Sequence, residues 1–185
     1  MQKWFLVLCF VVAGLSYGQT RFWEDAMKKV EESNILIAQK NYDAALANIH
    51  SLKNRLMAKR LTEEELSILQ MVVGIEMNVA ALLEDFDTVL KRNQEFSKKL
   101  YPDSRRNETF AIAYYGNVIL EQYYIYLADA DNLATLESVK KNLYIIKNKI
   151  KAHRWTHKVY ADTYDHTIEV YANLISTKMK ELGAE

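Results

Sequence analysis

Between residues 132 and 150 the apolar side chains Leu133, Leu136, Val139, Leu143, Ile146 and Ile150 recur at steps of three and four. That spacing keeps them on one face of a helix. Tyr160, Tyr164, Ile168, Tyr171 and Ile175 repeat the pattern in the last segment. Read the same way, the chain predicts helices near 21–39, 42–59, 63–84, 86–100, 105–128, 132–150 and 154–182. The breaks are short and carry capping chemistry. Thr62 and Glu65 form a capping box, in which each side chain takes the other's free backbone N–H. Pro102-Asp103-Ser104 reads as a stop followed by a new start, and Gly183 suits the position just past the last helix. The expected fold class is all-α, and no linker or low-complexity tract divides the chain.

The first 18 residues depart from this pattern. Lys3 precedes an uncharged, mostly apolar run of 12 residues, Trp4 to Leu15, and Ser16 and Gly18 are small residues before Gln19. These are the three parts of a secretory signal. As a helix the run spans only about 18 Å, short of a bilayer core of roughly 30 Å. Residues 1–18 therefore read as a removable signal peptide and 19–185 as one helical-repeat domain, exported to the periplasm or secreted. An uncleaved anchor is the alternative. The most apolar later segment, 111–128, has Asn117, Glu121 and Gln122 at its centre, where polar groups are costly in lipid. No transmembrane helix is expected after the signal.

An internal repeat runs through the helices. Asn41-Tyr42-Asp43-Ala44-Ala45-Leu46 matches Asp85-Phe86-Asp87-Thr88-Val89-Leu90, and Asp131-Asn132-Leu133-Ala134-Thr135-Leu136 is a weaker third copy. Each copy opens with Asn or Asp, the favoured N-cap residues, and closes on Leu. The copies start 44 and 46 residues apart, so each opens the second helix of a hairpin. Leu46, Leu90 and Leu136 should then be buried at equivalent places. Lys40 to Leu46 resembles the turn and second-helix start of a tetratricopeptide repeat, in which a small residue follows an aromatic. Asp85 to Leu90 is similar, and Tyr101-Pro102 ends its hairpin near where such repeats carry proline. The period of 44–46 is longer than that family's, about 34. The resemblance implies a short solenoid of hairpins with a C-terminal capping helix, a scaffold that binds other proteins. It carries over no catalytic residue.

Composition narrows the chemistry. The chain of 185 residues has 24 basic and 24 acidic side chains, five glycines, one proline and one cysteine. So few glycines exclude Gly-rich phosphate loops and turn-rich sandwiches. Cys9 lies in the leader, which removes disulfides, cysteine nucleophiles and thiolate metal sites from the mature chain. His153 and His157 stand at a metal-ligand spacing. However, Arg154 occupies the position where a zinc protease needs its Glu base, and His166 falls on the opposite face. Acidic groups at 84–87 and 129–131 surround helix starts, where the helix dipole favours them. A non-enzymatic protein without cofactor or metal is the expectation.

Two surfaces remain as binding candidates. Ten of the 12 tyrosines lie after residue 100, and Tyr114, Tyr115, Tyr123, Tyr124 and Tyr126 crowd one helix. Tyr114, Asn117 and Tyr124 could line a groove for a protein or peptide, with Asn117 and Gln122 hydrogen-bonding an extended backbone. Equally, the rings could fill a core. The stretch 140–158 holds seven basic residues and no acid, and Lys140, Lys147 and Lys151 share a face. That face could dock on an anionic envelope surface, or it could simply be solvated. Export and a balanced total charge argue against nucleic acid. If the hairpins stack in parallel, Lys59-Arg60 and Lys98-Lys99 line one edge and the Asx caps the other.

Overall fold

The computed structural model describes residues 21–184, and residues 1–18, expected to be a leader, lie outside them. Among the described residues there are seven α-helices and no strand. They are α1 (Arg21–Ala38), α2 (Tyr42–Met57), α3 (Glu63–Leu82), α4 (Phe86–Ser104), α5 (Glu108–Ala128), α6 (Leu133–Ala152) and α7 (Lys158–Glu181). The all-α expectation holds, with most boundaries within a few residues.

The first two repeat copies share one backbone turn. Lys40 and Glu84 adopt φ of 61° and 59°. Asn41 N–H donates to Leu36 O (2.8 Å) and Lys40 N–H to Ile37 O (2.9 Å). Asp85 N–H donates to Ala80 O (2.9 Å) and Glu84 N–H to Ala81 O (3.1 Å) in the same way. This left-handed turn closes the first helix, and its next residue is the N-cap of the second. A side chain with a Cβ is strained there. Lys40→Gly and Glu84→Gly should each raise stability by up to about 1 kcal/mol, read as a higher melting temperature. A drop on both substitutions would mean that these side chains stabilise the turn.

The third copy differs. The N-cap of α6 is Asn132, not Asp131, and its side chain accepts from Ala134 N–H and Thr135 N–H. Aligned on the caps, the third copy therefore begins one residue later. Four residues after the caps Asn41, Asp85 and Asn132 lie Ala45, Val89 and Leu136, all fully buried. The expectation that Leu46, Leu90 and Leu136 are equivalent is corrected, since Leu46 and Leu90 are only half-buried.

The capping box at Thr62 and Glu65 forms as expected, and Gly183 closes α7 with φ 87°. The stop at Pro102 does not. Helix α4 continues through Pro102 to Ser104, and α5 starts from the cap Asn107. Proline removes one N–H near the helix end, and burial of Leu100 and Ser104 holds the extra turn.

Each helix packs on its sequence neighbours, and α1 also packs on α3, α3 on α5, and α5 on α7. A carboxylate at the first position of one odd-numbered helix reaches the start of the next. Glu63 accepts from Asn107 Nδ2 (2.8 Å) and Thr109 Oγ1 (3.0 Å). Glu108 accepts from the backbone N–H groups of Thr156 (2.7 Å) and His157 (2.9 Å) and meets His157 Nδ1 at 2.7 Å. The starts of α3, α5 and α7 thus lie side by side at one end of the molecule.

Buried apolar side chains form two clusters. One draws on α1 to α4 with Phe110 and Ala113 of α5; the other joins Ile119 of α5 to α6 and α7. Helix α3 is long and apolar enough to cross a membrane by composition, but 61% of that window is buried inside the protein. A helix apolar nearly all round is what a core position requires.

Candidate functional site: an aromatic seam at the basic end

Aromatic rings cross from α4 to α7 near the end where α5 and α7 begin. Tyr101 of α4 meets Tyr114 (5.5 Å between centroids), and Tyr114 meets Tyr115 (5.3 Å). Tyr115 touches His153 (5.5 Å) and Trp155 (5.6 Å) in the α6–α7 turn. Trp155 in turn contacts Tyr160 and Tyr164 of α7. The tilted and edge-to-face geometries are those aromatic pairs prefer.

The inner members are anchored to backbone. Trp155 Nε1–H donates to Ile150 O (2.9 Å), Tyr164 O–H to Ile112 O (2.6 Å), and Tyr115 O–H to Lys149 O (3.4 Å). Burial raises the pKa of Tyr114, Tyr115 and Tyr164, so all three stay neutral, and burial pushes the His153 imidazole down. The outer end is open. Tyr101 is 44% exposed, and the Arg105 guanidinium lies 4.9 Å over its ring and donates to its hydroxyl. A second group, Tyr123 stacked on Tyr171 (5.0 Å) and Tyr126 (6.1 Å), lies further along α5.

Tyr114, Asn117 and Tyr124 do share one face of α5, but that face packs inward. Tyr114 and Tyr124 lie against the first core cluster. Asn117 Nδ2–H donates to Asn93 O (2.9 Å), Asn93 Oδ1 (3.2 Å) and Ser97 Oγ (2.7 Å). Asn93 Nδ2–H returns bonds to Asn117 O (3.2 Å) and Oδ1 (3.0 Å). The Asn117 amide is therefore committed to α4 and not presented to a peptide. Gln122 is also buried, and its Oε1 has no hydrogen-bond partner among the described residues.

The basic face of α6 is partly neutralised. Lys147 Nζ sits 2.9 Å from Glu169 and 3.1 Å from Asp165, and Lys151 lies 3.6 Å from Asp165. Hydrogen bonds to Glu169 and then to Asp165 raise the Lys147 pKa. Lys140, half-buried, has no ion pair among the described residues. Two of the three, Lys147 and Lys151, are thus engaged with acids of α7.

His153 and His157 fall in the turn before α7 rather than inside a helix. His153 is packed in the seam and His157 faces Glu108. Among the described residues no group of three potential metal ligands comes together.

Sequence reasoning missed Tyr101, Arg105, Glu63, Glu108, Asn93 and Ser97. A signal existed for the glutamates. Thr62-Glu63 and Asn107-Glu108 are both cap-plus-Glu pairs, 45 residues apart, close to the repeat period.

Burial alone would raise the Glu108 pKa, but hydrogen bonds from His157 and Thr156 outweigh it and hold the carboxyl below its ordinary range. Glu65 and Glu95 are lowered against burial too, by Lys59 with Thr62 and by Arg92. A carboxylate with a depressed folded pKa adds stability above its unfolded pKa, and that stability is lost as pH falls through the folded value. Melting temperature should therefore decline below about pH 4.5. Glu108→Gln should lower the neutral-pH value and flatten that acid slope; an unchanged slope would remove Glu108 from the account. His153, lowered by burial, adds a loss of the same sign starting below about pH 6.5 in both proteins.

No family model, no curated protein and no solved structure matches this chain.

Proposed function

We propose that this protein is an exported, non-enzymatic helical-repeat scaffold that binds a protein or peptide partner. The leader pattern of residues 1–18 supports export. The shared turns at Lys40 and Glu84, the period near 45 residues and the packing of α1 on α3, α3 on α5 and α5 on α7 support a short tetratricopeptide-like stack with α7 as its cap. The observation that carries the binding reading is the aromatic seam, anchored inside at Trp155 and Tyr164 and open at Tyr101. Tyrosine and tryptophan offer large contact area at small entropic cost, and they recur where interfaces concentrate their energy.

The test is capture of envelope proteins by purified mature protein. Tyr101→Ala with Tyr114→Ala should reduce capture far more than Lys141→Glu with Lys149→Glu, with folding checked by circular dichroism. A second reading, docking on an anionic envelope surface through 140–158, is favoured by Lys141, Lys149, Arg154 and Lys158, exposed and without an ion pair among the described residues. It replaces the first if the lysine reversal abolishes capture and the folded tyrosine variant does not.

A further inference from the structure

Charge is partly sorted along the helix axes. At the end where α5 and α7 begin, Arg105, Arg106, Lys149, Arg154 and Lys158 are all exposed. Among the described residues none of them has a carboxylate within ion-pair distance. The acids at this end are engaged: Asp103 by Arg60, Glu63 by Asn107 and Thr109, Glu65 by Lys59, and Glu108 by His157 and Thr156. The exposed exceptions are Glu64, Glu24 and Asp25 in the first turn of α1, and Asp162 one turn into α7. The opposite end, where α2, α4 and α6 begin, exposes Asp43, Glu84, Asp87 and Glu137. That end also exposes Lys40 and Lys180, so the separation of charge is partial, and what distinguishes the first end is the group of unpaired cations around the rings.

The aromatic seam belongs to the basic end. Arg105 lies over Tyr101, Tyr115 O–H donates to Lys149 O, and Arg154 sits between His153 and Trp155 in sequence. Rings and unpaired cations form one surface. We infer that this surface docks an acidic segment of a partner protein, with aromatic side chains between its carboxylates. The inference rests on the binding-scaffold reading and names the chemistry of its partner.

Arg105 is held on the Tyr101 ring, so its fork is positioned to take a carboxylate while partner side chains lie along Tyr101 and Tyr114. Arg106, Lys149, Arg154 and Lys158 supply the surrounding field that steers an anion in. A peptide fits better than a bilayer. Tyr114, Tyr115, His153 and Trp155 are half-buried between helices, and Trp155 turns its N–H to the protein backbone. A bilayer would call for rings that project.

The probes are a random copolymer of glutamate and tyrosine, polyglutamate, and vesicles of phosphatidylglycerol with phosphatidylcholine. Binding to mature protein is followed by fluorescence anisotropy of the labelled probe. The copolymer should bind about tenfold or more tighter than polyglutamate and weaken steeply with salt. Arg105→Glu with Arg154→Glu should cost about tenfold or more, whereas Asp87→Lys with Glu137→Lys at the other end should not weaken binding.

Copolymer and polyglutamate bound equally would overturn the inference, because the rings would play no part. Loss of affinity in neither charge-reversed variant would overturn it too. Vesicle binding without copolymer binding would replace it with a membrane surface. The tyrosine-dependent capture described above decides the scaffold reading separately, so the two can fail independently.

Discussion

Asn117→Leu should destabilise the protein by about 3 kcal/mol, from orphaned groups that cost about 1–3 kcal/mol each. Asn93 and Asn117 are buried between α4 and α5. Leucine removes the donor to Asn93 Oδ1 and Ser97 Oγ and the acceptor for Asn93 Nδ2. Asn93 is fully enclosed, so water does not replace the partners its amide loses. For a chain of this size the loss corresponds to roughly 6–12 °C in melting temperature. The double variant Asn93→Leu/Asn117→Leu should cost clearly less than the two single changes added together, because paired apolar groups leave fewer orphans. A neutral Asn117→Leu, or strict additivity, would show that the amide pair does not hold α4 to α5. The same variant separates structure from binding, since a folded Asn117→Leu protein should keep its partner capture.

The reason Asn117 reads as a groove residue from sequence is instructive. Its position relative to Tyr114 and Tyr124 is right, and all three share a face. What periodicity cannot supply is what that face meets. Asn93 lies 24 residues away on α4, in a helix whose own pattern marks it only as a polar residue among apolar ones. A buried amide pair is visible only once the two helices are set side by side. The helices themselves were legible because local rules set them: apolar steps of three and four, Asx caps, one capping box and a terminal glycine.

The pairing of the basic face of α6 is legible in the sequence. Lys147 and Lys151 are four residues apart on α6, and Asp165 and Glu169 are four apart on α7. Two antiparallel helices joined by a short turn bring such pairs together, and Lys147 does lie between the two acids. The seam was only half visible. Tyr114 and Tyr115 stood out by composition, while Tyr101 was read as part of a helix stop because of Pro102. The extra turn that carries α4 past the proline keeps Tyr101 and Arg105 one turn apart, which is what lets the guanidinium lie over the ring.

Leu136→Ala should be the more damaging of the repeat substitutions, at about 2–5 kcal/mol, while Leu46→Ala and Leu90→Ala should each cost less than about 2 kcal/mol. The difference follows from the register. Leu136 stands four residues after its cap, fully enclosed by the second core cluster with Val139, Leu143 and Ile168. Leu46 and Leu90 stand five residues after theirs and keep part of their surface in water, so truncation removes less buried area and leaves no closed cavity. The positions that match Leu136 hold Ala45 and Val89, both enclosed in the structure, so enlarging Ala45 to Leu should also destabilise, by about 1–3 kcal/mol from overpacking. Thermal melts of the four single variants, at one pH and one protein concentration, give the comparison. Equal losses at Leu46, Leu90 and Leu136 would restore the register in which the three leucines are equivalent. A large loss at Leu136 alone, with a penalty at Ala45→Leu, fixes the repeat on the residue four places after each cap.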